Sequence, residues 1–299
     1  MRELGVLRSL VIALAALALS SLAACAPPWS NHIVIGAKNF TEQVVLGELL
    51  AQHIEHATGQ QVERRFYLAG SYICHQALLA GRIDAYVEYT GTALTAILKQ
   101  PLQKDPAAVA EVVRKLYAQR YNIRSFDSLG FQNTFAMVIR GDEAERLRIA
   151  TLSEAVAYAP QWRLGVGYEF EERPDGLAGL RAAYGLNFAG SPRVMDLGLL
   201  YRALAAHQVD LIAANSTDGP IEAMHLAVLA DDRHYFPPYQ AVPLVREESL
   251  RRWPELGSAL ESLTGKISAD DMRTLNNAVD GEHRDVVEVV REFREKRGL

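Results

Sequence analysis

The chain has 299 residues, 49% of them hydrophobic and 22% charged, which suits two lobes with sizeable cores and excludes a disordered polymer. A formal charge of −5 excludes the dense basic face that sequence-independent nucleic-acid binding needs. Two cysteines, Cys25 and Cys74, exclude a disulfide scaffold and a four-cysteine zinc site. In chain order, residues 1–25 read as an export leader. Arg2 and Arg8 precede the apolar run Ser9 to Leu22, which is short for a membrane span. Leu22-Ala23-Ala24-Cys25 then resembles the lipobox of bacterial lipoproteins, with Cys25 as the acylated residue; plain cleavage after Ala24 is the alternative. Loss of residues 1–24 removes two of the 31 basic and one of the 36 acidic residues, leaving a net charge of −6.

The body of the chain alternates strand and helix. Ile33-Val34-Ile35 is a short apolar strand. Asn39 with Glu42 reads as a capping box opening a helix to about Ala57, whose stripe is Val45, Leu46, Leu49, Leu50 and Ile54. A strand from Val62 to Leu68, a helix ending at Gly81 and a strand from Ile83 to Tyr89 follow. This β-α-β-α-β order predicts a parallel sheet covered by helices. After a looser segment and a helix to Arg120, the pattern restarts. Strands are expected at Phe135 to Ile139, Arg163 to Gly167, Val209 to Ala213 and Ala241 to Val245. Helices are expected at Pro174 to Tyr184 and Asp196 to Ala206, and Thr151 with Glu154 forms a second capping box. The run from Ala77 through Asp84 to Gly91 is matched by the run from Ala203 through Asp210 to Gly219: helix, turn ending in Asp, strand, small polar residues. The expectation is two α/β lobes, each offering loops at the carboxyl end of its sheet, with the last helices packed on the first lobe.

Enzyme motifs are scarce. G-x-S-x-G, the phosphate-binding P-loop and H-E-x-x-H are all missing, and Gly165-x-Gly167 lacks a third glycine. His53 and His56 could share a metal but have no further ligand beside them. Glu171-Glu172 and Asp231-Asp232 read as loop charges rather than an acid/base couple. Cys74 reads as a small buried residue, and neighbouring His75 points elsewhere on the helix. At the presumed cleft, Lys38 and Arg173 stand before helix starts, where an anion is favoured. Tyr89, Phe135 and Tyr239 offer faces to a diffuse cation. Together these suit a zwitterion, with no metal or cofactor.

Four segments carry a resemblance: Ile35-Gly36-Ala37-Lys38-Asn39-Phe40-Thr41-Glu42-Gln43, Val87-Glu88-Tyr89-Thr90-Gly91-Thr92, Arg173-Pro174-Asp175-Gly176-Leu177, and Asp231 through Tyr239. In this order they resemble the substrate-binding proteins of ABC transporters for osmoprotectants: glycine betaine, proline betaine, choline and carnitine. The resemblance spans residues 32–299. It implies a two-lobed periplasmic-binding-protein fold, type II-like, with mainly parallel sheets and a hinge. The lobes would be 32–132 plus 240–299, and 133–239. It further implies an aromatic cage for the quaternary ammonium at Tyr89, Phe135, Asn215 and Tyr239. Phe135 keeps the ring without the hydroxyl, and Asn215 stands where some relatives have tyrosine. Lys38, Thr92 and Arg173 fall at carboxylate-side positions, and Asn133 at a backbone contact. The implied protein is a monomer with no catalysis, at the periplasm or cell surface. Its partners would be a membrane, through a lipid anchor at Cys25, and a permease with its ATPase. Asn215 keeps open a different solute, such as a bulkier betaine or an amino acid. An enzyme using His53, His75 or Glu171-Glu172 and the effector domain of a transcription regulator are the rival classes.

Overall fold

Two sheets of five strands organise the chain, and the computed structural model describes residues 31–299. The expected leader and Cys25 lie outside the described residues. Ile33–Leu299 form one compact unit that contains both sheets.

The first sheet is built from β1 (Ile33–Gly36), β2 (Val62–Arg65), β3 (Ala85–Tyr89), β4 (Ile123–Ser125) and, from far along the chain, β10 (Ala241–Arg246), in the order β2-β1-β3-β10-β4. The second holds β5 (Phe135–Arg140), β6 (Leu164–Val166), β7 (Arg193–Val194), β8 (Leu211–Asn215) and β9 (Leu226–Leu229), in the order β7-β6-β8-β5-β9. Pairings β1–β2, β1–β3, β6–β7 and β6–β8 are parallel, whereas β10 and β5 run antiparallel to both their neighbours. Four strands of each sheet therefore point one way. The reversed strand is the one laid down just after the chain crosses from the other sheet, because a crossing chain enters from the opposite end.

Both faces of each sheet are covered, which is why its strands are apolar without a polar side. The period of two sorts them: Ile33, Ile35, Ala85, Val87 and Val245 join the core under helix Thr41–Thr58, while Val34, Tyr86, Val242 and Leu244 join the core on the reverse face, with Val109 and Val113. The second sheet divides likewise, Met137, Ile139 and Leu211 to one side, Ala136, Val138 and Ile212 to the other. The last helices, which include Ala269–Asp280 and Val286–Arg297, deliver Met272, Leu275, Val289 and Val290 to the core of the first sheet.

Two local expectations are corrected. Helix Thr41–Thr58 has Phe40, not Asn39, at its N-cap; a phenyl ring has no acceptor to cap with, and the Glu42 carboxylate turns inward to Tyr89 instead. The helix expected from Pro174 begins only at Leu177 and ends at Gly185 in the left-handed region. The capping box of Thr151 and Glu154 is present.

Candidate functional site

Loops and strand ends of both sheets converge on one cavity. From the first sheet come Lys38, just past β1, Tyr89 and Thr92 at and after the end of β3, and Tyr239 before β10; from the second come Phe135 on β5, Gly167 after β6, and Ala213 and Asn215 on β8. Asn133 and Arg173 also line it, so all eight residues singled out around the ligand in the sequence share one wall. Cys25 lies outside the described residues.

The aromatic rings are locked against one another. Phe135 meets Phe170 edge-on at 4.8 Å between centroids and Tyr239 at 5.7 Å. Tyr239 donates its hydroxyl to Asp175 at 2.6 Å, and Tyr89 donates to Glu42 at 2.6 Å. Burial holds both phenols well above their ordinary value, and the neighbouring carboxylates add to this, so both stay neutral donors. Gly91 lets the Tyr239 ring in: a Cβ there would lie 2.6 Å from its Cδ1.

The cations are not apart from the rings. Lys38 Nζ lies 4.7 Å from the Tyr89 centroid, and the Arg173 guanidinium carbon 4.8 Å from Phe135 and 5.8 Å from Tyr239. Each cation also has a buried counter-ion. Lys38 pairs with Glu88, and Arg173 grips Asp175 with two nitrogens, Nε at 3.0 Å from Oδ1. Burial works to raise the Asp175 carboxyl, but the adjacent guanidinium and the Tyr239 hydroxyl outweigh it and hold it below its ordinary value. With those pairs internally balanced, the remaining charge on the wall is Glu169, which accepts the backbone N–H of Ser71 at 2.6 Å. A wall with this surplus favours a ligand with a positive head.

Behind Tyr89 lies Glu42, which its spacing from Asn39 marks only as a helix cap. The Glu42 carboxylate accepts from Tyr89, from Asn133 Nδ2 at 2.9 Å, from Thr217 and from Asn276 Nδ2 at 3.1 Å. Burial raises it above its ordinary value, with those four donors opposing. Glu88 and Asp175 were equally missed as counter-ions, although both stand within the resemblance segments; their signal is a carboxylate one or two residues from a site residue.

The rival candidates fall elsewhere. His53 Nε2 is 2.7 Å from Ser262 Oγ and 3.1 Å from the Ala259 carbonyl, a packing role. No metal-ligating cluster occurs among the described residues. Cys74 is fully buried and burial pushes its thiol up to about 12, which makes it inert.

Residues 31–296 match the family model described as the substrate binding domain of the ABC-type glycine betaine transport system, OpuAC. The chain is 36% identical over 268 residues to the carnitine transport binding protein OpuCC of Listeria monocytogenes, covering 89% of this chain and 87% of that one. It is 33% identical over 297 residues to a glycine-betaine-binding protein of Pseudomonas aeruginosa, covering 96% and 93%. A crystal structure titled glycine betaine/carnitine/choline ABC transporter superposes with a TM-score of 0.74 at 34% identity, over 89% of this chain and 98% of that one. The chain therefore belongs to the OpuAC family of substrate-binding domains of ABC importers.

Proposed function

We propose that this chain captures a quaternary ammonium osmoprotectant, such as glycine betaine, outside the cytoplasm and hands it to a permease, without catalysing a reaction. The lobes are residues 32–132 with 240–299, and residues 133–239, closing over ligand by a hinge. Tyr89, Phe135, Asn215 and Tyr239 face the cationic head, with Asn133 at a backbone contact of the cage; Lys38, Thr92 and Arg173 face the carboxylate. The chain acts as a monomer tethered through an acylated Cys25. The observation that supports this most is the convergence of three aromatic rings and two internally paired cations on one cavity, with Glu169 as surplus charge. Such walls attract a diffuse cation through the ring faces, each contact contributing up to ~2 kcal/mol when desolvated.

Calorimetric titration of the full chain with glycine betaine, choline, carnitine and proline tests the reading. Micromolar or tighter binding of a quaternary ammonium, with proline inert, is expected. The double variant Tyr89→Leu/Tyr239→Leu should then lose binding by two orders of magnitude or more, from two lost ring contacts. Retained affinity in a folded double variant overturns the cage. A second reading, a bulkier betaine or an amino acid, is favoured by Asn215 alone, whose amide offers hydrogen bonds where a ring cannot; competition by such solutes against glycine betaine separates the two.

A further inference from the structure

Asn215 ends β8 directly opposite Phe135, and its side chain lines the ligand cavity. Its amide orientation is set from behind. Asp218 Oδ2 accepts the Asn215 backbone N–H at 3.0 Å, and both Asp218 oxygens lie 3.4 Å from Asn215 Nδ2. The NH2 end of the amide thus faces Asp218 and the carbonyl end is turned away from it. Tyr201 fixes Asp218 in turn, its hydroxyl donating at 2.7 Å. Among the described residues no donor is recorded for Asn215 Oδ1. The residue also lies on a second, larger cavity of about 650 Å³ that shares Asn39, Phe40 and Leu197 with the first. A group on the ligand that reaches past the ring cage therefore comes to Asn215 and finds room beyond it.

Resting on the quaternary ammonium reading, we infer that Asn215 is a specificity residue that selects, within that class, ligands carrying a hydrogen-bond donor besides the cationic head, a hydroxyl or a ring N–H. A donor pointed at Oδ1 gains a hydrogen bond in a partly buried wall, a net gain of roughly threefold to tenfold in affinity. A simple betaine, whose nitrogen is fully alkylated and whose carboxylate only accepts, leaves that oxygen unmet.

The test is a comparison of matched pairs by calorimetric titration of the full chain: L-carnitine against 4-(trimethylammonio)butanoate, and choline against its O-methyl ether. The members of each pair differ in one donor. Tighter binding of the hydroxyl member by roughly threefold to tenfold in either pair is expected. In Asn215→Leu, and in Asn215→Ala should the first fold poorly, that ratio should fall to about one. Equal affinities in both pairs overturn the inference and leave the quaternary ammonium reading standing, as does a preference that survives in either variant. Failure of the native chain to bind any of the four overturns that reading and the inference with it.

Discussion

Burial and hydrogen bonding pull the Asp218 carboxyl in opposite directions, and burial wins. Enclosure raises it from its ordinary 3.8 to about 7, against the hydroxyl of Tyr201 and the N–H of Asn215, with nearby Glu42 adding to the rise. A carboxyl whose folded value lies above its unfolded one contributes stability that is fully present below the unfolded value and lost as pH rises through the folded one. Urea unfolding should therefore show stability falling between about pH 4 and pH 7. Asp218→Asn, which keeps an acceptor for Tyr201, should flatten that slope. An unchanged slope would mean that the charge is better solvated than its surroundings suggest. At this scale the sequence was partly legible. Rings and cations could be singled out at Tyr89, Phe135, Tyr239, Lys38 and Arg173 because aromatic and basic types at strand ends and loops are informative alone. Glu42 could not, because its donors Thr217 and Asn276 lie 175 and 234 residues away along the chain. Spacing of three residues from Asn39 suggested a cap, and only tertiary packing shows the carboxylate facing inward.

At the scale of elements, the repeated unit is the same device built twice. Helices Ser71–Leu79 and Leu197–Ala205 each end in a turn whose pivot is left-handed, Gly81 at φ 67° and His207 at φ 52°. The aspartate three residues on then ties its strand to the neighbouring parallel one. Asp84 accepts the N–H of Val34 at 2.8 Å, and Asp210 that of Arg163 at 2.9 Å. A non-glycine residue in the left-handed region costs roughly 1 kcal/mol, and His207 is exposed with no packing to offset it. His207→Gly should thus raise stability by about 0.5–1 kcal/mol in denaturant unfolding, with ligand affinity unchanged. A loss instead would show that the freedom gained by the unfolded chain outweighs the relieved strain. The unit was readable because helix end, turn and apolar strand are local signals. Strands β4, β7 and β9 were not. They are two to four residues long and carry exposed or half-buried positions, so neither a period nor an apolar run marks them.

For the molecule as a whole, a few polar contacts bind what packs on one sheet to what packs on the other. Glu42 and Asn276, on helices of the first sheet's core, hold Thr217 from the loop after β8, Asn276 Nδ2 reaching the Thr217 carbonyl at 2.8 Å. Glu169, just after β6, caps the helix that starts at Ser71. Each is a modest net gain, of order 1 kcal/mol, so under the proposed hinge closure they would together bias the closed state without fixing it. The variant Thr217→Val/Glu169→Ala should increase the radius of gyration of the ligand-free chain in small-angle X-ray scattering, and ligand should reverse the change. An unaltered radius would mean that these ties do not hold the two sheets together. The two-lobed plan was legible from the repeated β-α order and the resemblance; these ties were not, since they join residues with no local pattern.

The place of β10 bears on how the protein is made. A nascent chain that has emerged as far as Leu229 carries every strand of the second sheet, whereas the first sheet still has a gap one strand wide between β3 and β4. The strand edges beside that gap present unpaired N–H and C=O groups to any passing chain, the hazard that edge strands are otherwise shaped to avoid. The later-synthesised half can thus finish first, while the earlier half waits for Ala241–Arg246, and a ribosome stalled short of that strand releases a product with one sound sheet and one open to aggregation.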